Sequence, residues 1–90
     1  MTINIKDLLL LDDDNEYVVV SKVNYENKNY YYLIDKNNLT SVKFCYEDID
    51  KLIELDDKVL TTKLLPLFLE ASKDEFETIK QELETLQQNN

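Results

Sequence analysis

Tyr17-Val18-Val19-Val20-Ser21-Lys22-Val23-Asn24-Tyr25, then Glu26-Asn27-Lys28-Asn29, then Tyr30-Tyr31-Tyr32-Leu33-Ile34 is the stretch on which the fold turns. The outer two runs are dense in β-branched and aromatic residues, which fit a pleated, half-buried surface. The polar break between them is too short for the crossover that parallel neighbours need, so the pair reads as an antiparallel hairpin. The chain contains no glycine. Asn27 or Asn29 is therefore expected at the left-handed position that a tight turn requires.

Toward the N-terminus, Asp12-Asp13-Asp14-Asn15 forms another turn signal and ends the short apolar run Leu8–Leu11. Toward the C-terminus, Asp35-Lys36-Asn37-Asn38 is a further turn, Leu39 to Tyr46 a third strong strand, and Leu52 to Leu55 a last edge strand. Residues 8–55 thus predict an antiparallel meander of three to five strands. Alternation puts Val42, Phe44 and Tyr46 on one side of the third strand, with Ser41, Lys43 and Cys45 on the other. Tyr30 to Ile34 is apolar or aromatic on both faces, the pattern of a central strand covered on each side.

The last third is helical. Asp56-Asp57 supplies carboxylates at a helix start, and Leu60, Leu64, Leu67, Phe68 and Ala71 recur at helical spacing. Pro66 falls inside this run, where proline costs about 3 kcal/mol. The expectation is a helix over 57–71, kinked or broken at Pro66. Ser72 and Glu75 have the spacing of a capping box. A second helix follows over 73–88, with Phe76, Ile79, Leu83 and Leu86 as its apolar stripe. The fold class read from these patterns is α+β: one domain over residues 1–90, a small antiparallel meander followed by two C-terminal helices.

Composition narrows function. All ten basic residues are lysine, nineteen are Asp or Glu, and the formal net charge is −9. Without histidine, arginine or glycine there is no imidazole for proton transfer, no guanidinium to clamp an oxyanion, and no glycine loop to cradle phosphate. The same skew follows from an AT-rich genome, bacterial or phage. An acidic chain of pI ≈ 4.3 repels nucleic acid and anionic membranes and attracts basic partners. The N-terminal residues lack the basic start of a secretory signal, and no run approaches the ~20 apolar residues of a membrane span. The expected location is the cytoplasm, of a bacterial cell or an infected host.

The run Leu10 to Val20, followed by Tyr25-Glu26-Asn27-Lys28-Asn29-Tyr30-Tyr31-Tyr32-Leu33 and later by Leu52-Ile53-Glu54-Leu55-Asp56-Asp57, resembles the YrzB-like family of unknown function. The resemblance covers about residues 8–70. It implies antiparallel strands followed by a helix, and no activity. The chain departs from the family where a glycine is expected near Asn15, and in the added helix after Ser72.

Asp12, Asp14 and Glu16 have the spacing that opens an EF-hand loop. The loop then fails at Tyr17, where a glycine is needed, and at Val23, where a bidentate Glu belongs. Cys45 has no histidine to activate it, and Glu47 and Asp48 nearby oppose a thiolate. Glu75 and Glu82 lie two turns apart with no apolar pocket to separate their pKa values. No catalytic, cofactor-binding or metal-binding residue is therefore assigned.

Contact residues remain. Tyr30, Tyr31 and Tyr32 are strand formers that also suit protein interfaces. Phe76, Ile79, Leu83 and Leu86 serve either the home sheet or a seam with a partner. Asp12, Asp13, Asp14, Glu16, Glu47, Asp48 and Asp50 form the candidate acidic surface. The expected function is a non-catalytic acidic protein-binding module, an adaptor or inhibitor that occupies a basic surface on a partner protein, with homodimerisation as a further expectation. The alternative is a phage-encoded nucleic-acid mimic that inhibits a DNA- or RNA-binding defence enzyme. A mimic needs a dense carboxylate row, since DNA presents one charge per about 1.7 Å of axis.

Overall fold

Five strands and two helices follow one another in the order β1 (Leu8–Leu10), β2 (Glu16–Tyr25), β3 (Lys28–Asp35), β4 (Asn38–Asp48), β5 (Lys51–Glu54), α1 (Lys58–Ala71) and α2 (Lys73–Gln88). The computed structural model describes residues 2–88, and their side chains except at positions 74–76, 80 and 86–88. Every strand pairs antiparallel with its sequence neighbour, giving one curled sheet in the order β1-β2-β3-β4-β5. The strands are longer than the sequence patterns at several ends. β4 runs on to Asp48, and β5 lies at Lys51–Glu54, one residue earlier than the predicted edge strand.

The turns show how a chain without glycine makes tight hairpins. Tyr25 pairs with Lys28 and Asp48 with Lys51, so each hairpin closes with a two-residue loop. In the type I′ form such loops take φ > 0 at both central residues. Glu26 (φ 49°) and Asn27 (φ 66°) supply it in the first, Ile49 (φ 44°) and Asp50 (φ 60°) in the other. Asn29 lies in β3, opposite Asn24, so only Asn27 takes the expected left-handed role. Asp14 (φ 65°) adopts it in the β1–β2 turn, beside the position where the family resemblance expects a glycine.

Both faces of the central strands are covered by the chain itself. On one face Tyr17, Val19, Tyr31, Leu33 and Cys45 pack with Ile3 from the N-terminal segment and with Leu9, Leu11 and Leu52 from the curling edges. The other face carries the helices. Val18, Val20 and Ile34 meet Ile79 and Leu83 of α2, and Tyr30 meets Leu64 and Phe68 of α1.

A register shift between Val19 and Ser21 sets where those helices sit. A bulge inserts one residue, so side chains on either side of it break alternation. Val20 and Ser21 both end up toward the helices. The buried Ser21 hydroxyl donates to the Phe68 carbonyl (2.7 Å), and the buried Ser72 hydroxyl donates to Ser21 Oγ (3.0 Å). The Ser72 N–H also donates to the Phe68 carbonyl, at 3.3 Å. One strand bulge thus holds the α1–α2 junction.

α1 runs unbroken through Pro66, and the interruption falls six residues later, at Ser72. Asp57 caps its start, accepting from the Leu60 N–H at 3.0 Å. Pro66 lies on the exposed side of the helix with Thr62, the residue whose carbonyl loses its intrahelical donor to the proline. The packing side, Leu64 and Phe68, is undisturbed. The Glu75 half of the expected capping box lies outside the described residues.

Two stability outcomes follow. Ser21→Ala leaves the Ser72 hydroxyl without its acceptor in a buried site and should cost about 1–3 kcal/mol in urea unfolding, while adding Ser72→Ala should cost little more. Ile49, 90% exposed, is a β-branched residue held at φ 44°, so Ile49→Asn should stabilise by about 1 kcal/mol.

Candidate functional site

The strongest concentration of polar groups lies where the β1–β2 turn folds across the sheet face that carries Cys45. A cleft of about 270 Å³ is lined by Leu10, Leu11, Asp12, Asp13, Lys43, Cys45, Leu52 and Glu54. Lys43 Nζ reaches Glu54 at 3.0 Å and Asp13 at 3.7 Å. The Tyr17 hydroxyl donates to Asp13 at 2.6 Å, and the Tyr31 hydroxyl to Glu47 at 2.5 Å. Cross-strand pairing creates this cluster: Cys45 sits between Tyr31 and Glu54 in the register, with Lys43 two residues along the same face.

Five ionisable groups there, Asp13, Tyr17, Tyr31, Lys43 and Cys45, are held in their resting forms. Burial, with the Glu54 charge added, pushes the Cys45 thiol up to about 11. Burial likewise raises Tyr31, reinforced by its hydrogen bond to Glu47. The hydrogen bond from Tyr17 lowers Asp13, and the same bond raises Tyr17. Lys43 is raised by its hydrogen bond to Glu54. Acid–base and nucleophilic groups work best with pKa values near the operating pH, and every shift here runs away from neutrality. The cleft orders the β1–β2 turn; its groups are poorly suited to moving a proton. Among the described residues no three His, Cys, Asp or Glu side chains gather to hold a metal ion.

The residues singled out as contacts lie in several places. Tyr31 is fully buried on the Cys45 face, and Tyr30 is buried under α1 on the other. Tyr32, half-buried, meets Phe68 edge-on (5.9 Å between centroids) and packs tilted against Phe44 (4.9 Å). The strand that the sequence reads as apolar on both faces is therefore covered on both sides within the chain. Ile79 and Leu83 are buried against Val18, Val20 and Ile34, so these two members of the α2 stripe serve the home sheet. Phe76 and Leu86 lie outside the described residues.

The acidic positions fall at two turns. Asp12, Asp13 and Asp14 belong to the β1–β2 connection and Glu16 opens β2, while Glu47, Asp48 and Asp50 belong to the β4–β5 hairpin. They are interleaved with cations. Lys36 pairs with Glu16 at 2.6 Å, Lys43 with Asp13, and Lys51 shares a shallow depression with Asp12 and Glu54.

An exposed apolar surface absent from the sequence reading lies on α1. Leu60, Leu64 and Phe68 face the sheet. On the opposite side Val59, Thr62, Pro66 and Leu69 recur at helical spacing with Leu65 beside them, and all five are exposed. Val59 is 79% exposed. No charge interrupts this strip; Lys58, Lys63 and Glu70 lie at its margins. A helix apolar on two sides is normally buried on both. The signal was in the sequence as a second set of spacings, hidden because one stripe already accounted for the helix.

No protein-family profile, curated protein or solved structure matches this chain.

The Cys45 environment sets an alkaline limit on stability. A thiol of ordinary pKa 9.0 when unfolded, and about 11 when folded, favours the native state fully below pH 9. That contribution is lost progressively as pH rises from 9 toward 11. Unfolding free energy measured across this window should fall, and Cys45→Ala should flatten part of the fall.

Proposed function

We propose that this chain is a non-catalytic protein-binding module whose principal contact is the outward strip of α1. The observation that carries the reading is the uncharged row Val59, Thr62, Leu65, Pro66 and Leu69, exposed on a helix whose other side is already packed. Contiguous apolar patches on soluble domains mark interaction sites. Laid into an apolar groove on a partner, a helix contributes anchors spaced at three and four residues. The occupant that fits is a protein with an apolar seat and a basic rim, because the chain around the strip carries a net charge of −9. Such a partner gains burial at the strip and steering from the surrounding carboxylates.

Two further observations support contact over chemistry. In the polar cleft Asp13, Tyr17, Tyr31, Lys43 and Cys45 have shifts that run away from neutrality. The acidic turns are interrupted by Lys36, Lys43 and Lys51, which suits a general acidic field better than the continuous carboxylate row a nucleic-acid mimic requires.

Leu65→Asp with Leu69→Asp tests the reading. These side chains are exposed, so circular dichroism and unfolding midpoint should remain close to those of the parent. A partner captured in the native cell, identified and then purified, should bind the double variant at least about tenfold more weakly by calorimetry, a loss of roughly 1.4 kcal/mol or more. Raised salt should slow its association with the parent chain. Equal affinity for parent and double variant would remove α1 as the contact surface.

A further inference from the structure

We infer that Tyr25, Tyr30 and Tyr46 form a seat for a lysine side chain of a basic protein partner, and that Lys28 of this chain fills the seat until such a partner displaces it. This rests on the reading of the chain as a binder of basic proteins, and on no residue of the α1 strip.

Strand pairing builds the seat. Tyr25 lies opposite Lys28 across the β2–β3 hairpin, and Tyr30 lies opposite Tyr46 of β4. Lys28 and Tyr30 are two residues apart on β3, so both project from the face that carries the helices, where Tyr25 and Tyr46 also lie. The three rings are inclined to one another instead of stacked. Tyr25 and Tyr30 are 6.5 Å apart between centroids with their planes at 63°, and Tyr30 and Tyr46 are 6.3 Å apart at 49°. Tyr30 is buried and makes the floor, while Tyr25 and Tyr46 are half-buried and make the walls. Continuing the β3–β4 register by two residues puts the exposed Asp48 across from Lys28, a carboxylate beside the position of the cation.

An ammonium already occupies this place. Lys28 Nζ lies 4.9 Å from the centroid of the Tyr46 ring, against 5.8 Å for Lys22 over Tyr31 and for Lys43 over Tyr17. Those two cations are also held by oxygen: Lys22 donates to the Ile3 carbonyl and Lys43 pairs with Glu54. The Lys28 ammonium has no hydrogen-bond or ion-pair partner among the described residues, and its residue is exposed. An exposed contact of a cation with one ring is weak, so exchanging one ammonium for another costs little. A lysine from a basic protein gains the same ring face and is drawn in by the field of a chain with net charge −9. Lys28 thus marks the chemistry of the side chain that replaces it.

Titration of the full chain with a blocked glycine-lysine-glycine peptide, followed by proton resonances, tests the inference; the same peptide with norleucine for lysine is the neutral control. The lysine peptide should shift the ring signals of Tyr25 and Tyr46 and leave those of Tyr17 in place, and the norleucine peptide should shift none of them. Lys28→Ala vacates the seat and should tighten lysine-peptide binding about two- to fivefold, the factor that an exposed cation–ring contact represents. Lys36→Ala removes the same charge beyond the far end of β3 and should tighten it less, which separates the seat from the general acidic field. In the Lys28→Ala background Tyr46→Phe keeps the ring and should bind as before, whereas Tyr46→Leu should lose the gained affinity. Leu65→Asp with Leu69→Asp should leave the ring shifts unchanged, so that failure of the seat and failure of the α1 contact are told apart. Ring signals that do not move, Lys28→Ala binding no tighter than Lys36→Ala, or equal binding by the Phe and Leu variants would overturn the inference.

Discussion

The extra residue in β2 governs the arrangement of the molecule. Without the shift between Val19 and Ser21, strict alternation would turn Ser21 toward the face that holds Tyr31 and Cys45, and a hydroxyl would enter an apolar cluster unpaired. With the shift, Ser21 meets Phe68 and Ser72, and the end of α1 is hydrogen-bonded to the middle of the sheet. A buried polar group is tolerated only when satisfied, so this contact has one workable geometry. It fixes which side of α1 looks inward, and by the same act which side is left to solvent.

The surfaces follow from that constraint. Because Leu60, Leu64 and Phe68 are committed to the tyrosine-rich face, the strip from Val59 to Leu69 has no place in the fold's own core. The helices lie over β2, β3 and β4 and leave β1 at the margin, where Leu8 and Leu10 stay exposed. The opposite face is closed differently. The N-terminal segment and the β1–β2 turn fold across it, and Asp13, Tyr17, Lys43 and Glu54 link the turn to β4 and β5. The polar residues of this region are spent on holding a loop in place.

Much of the fold was legible in the sequence, for reasons that can be named. The hairpins were marked by polar breaks between β-branched and aromatic runs, and the face assignments of β4 followed from period two. The double-sided character of Tyr30 to Ile34 correctly required cover on both faces. What covers it was less legible, because the sequence does not show that Ile3 and Leu11 fold back over one side. The bulge was hidden within Val18-Val19-Val20, where any residue of the run is equally suited to be the extra one. Pro66 pointed to a kink or a break; α1 continues through it without a break, with the proline on its exposed side. Ile49 lies at a left-handed turn position that nothing in its chemistry favours; it is there because β4 and β5 fix the loop at two residues. For the contact sites, tyrosine's two roles as strand former and interface residue cannot be separated by composition, and here all three of Tyr30, Tyr31 and Tyr32 went into the core clusters or their margins.

The central claim is that docking the helix pair through Ser21 leaves one side of α1 as bare apolar surface. Methyl resonances read this directly. With a soluble gadolinium chelate added to the leucine-labelled protein, the Leu65 and Leu69 methyls should broaden strongly while those of Leu64 remain sharp. Equal protection of all three would mean that the helix is turned or covered differently, and would contradict the account.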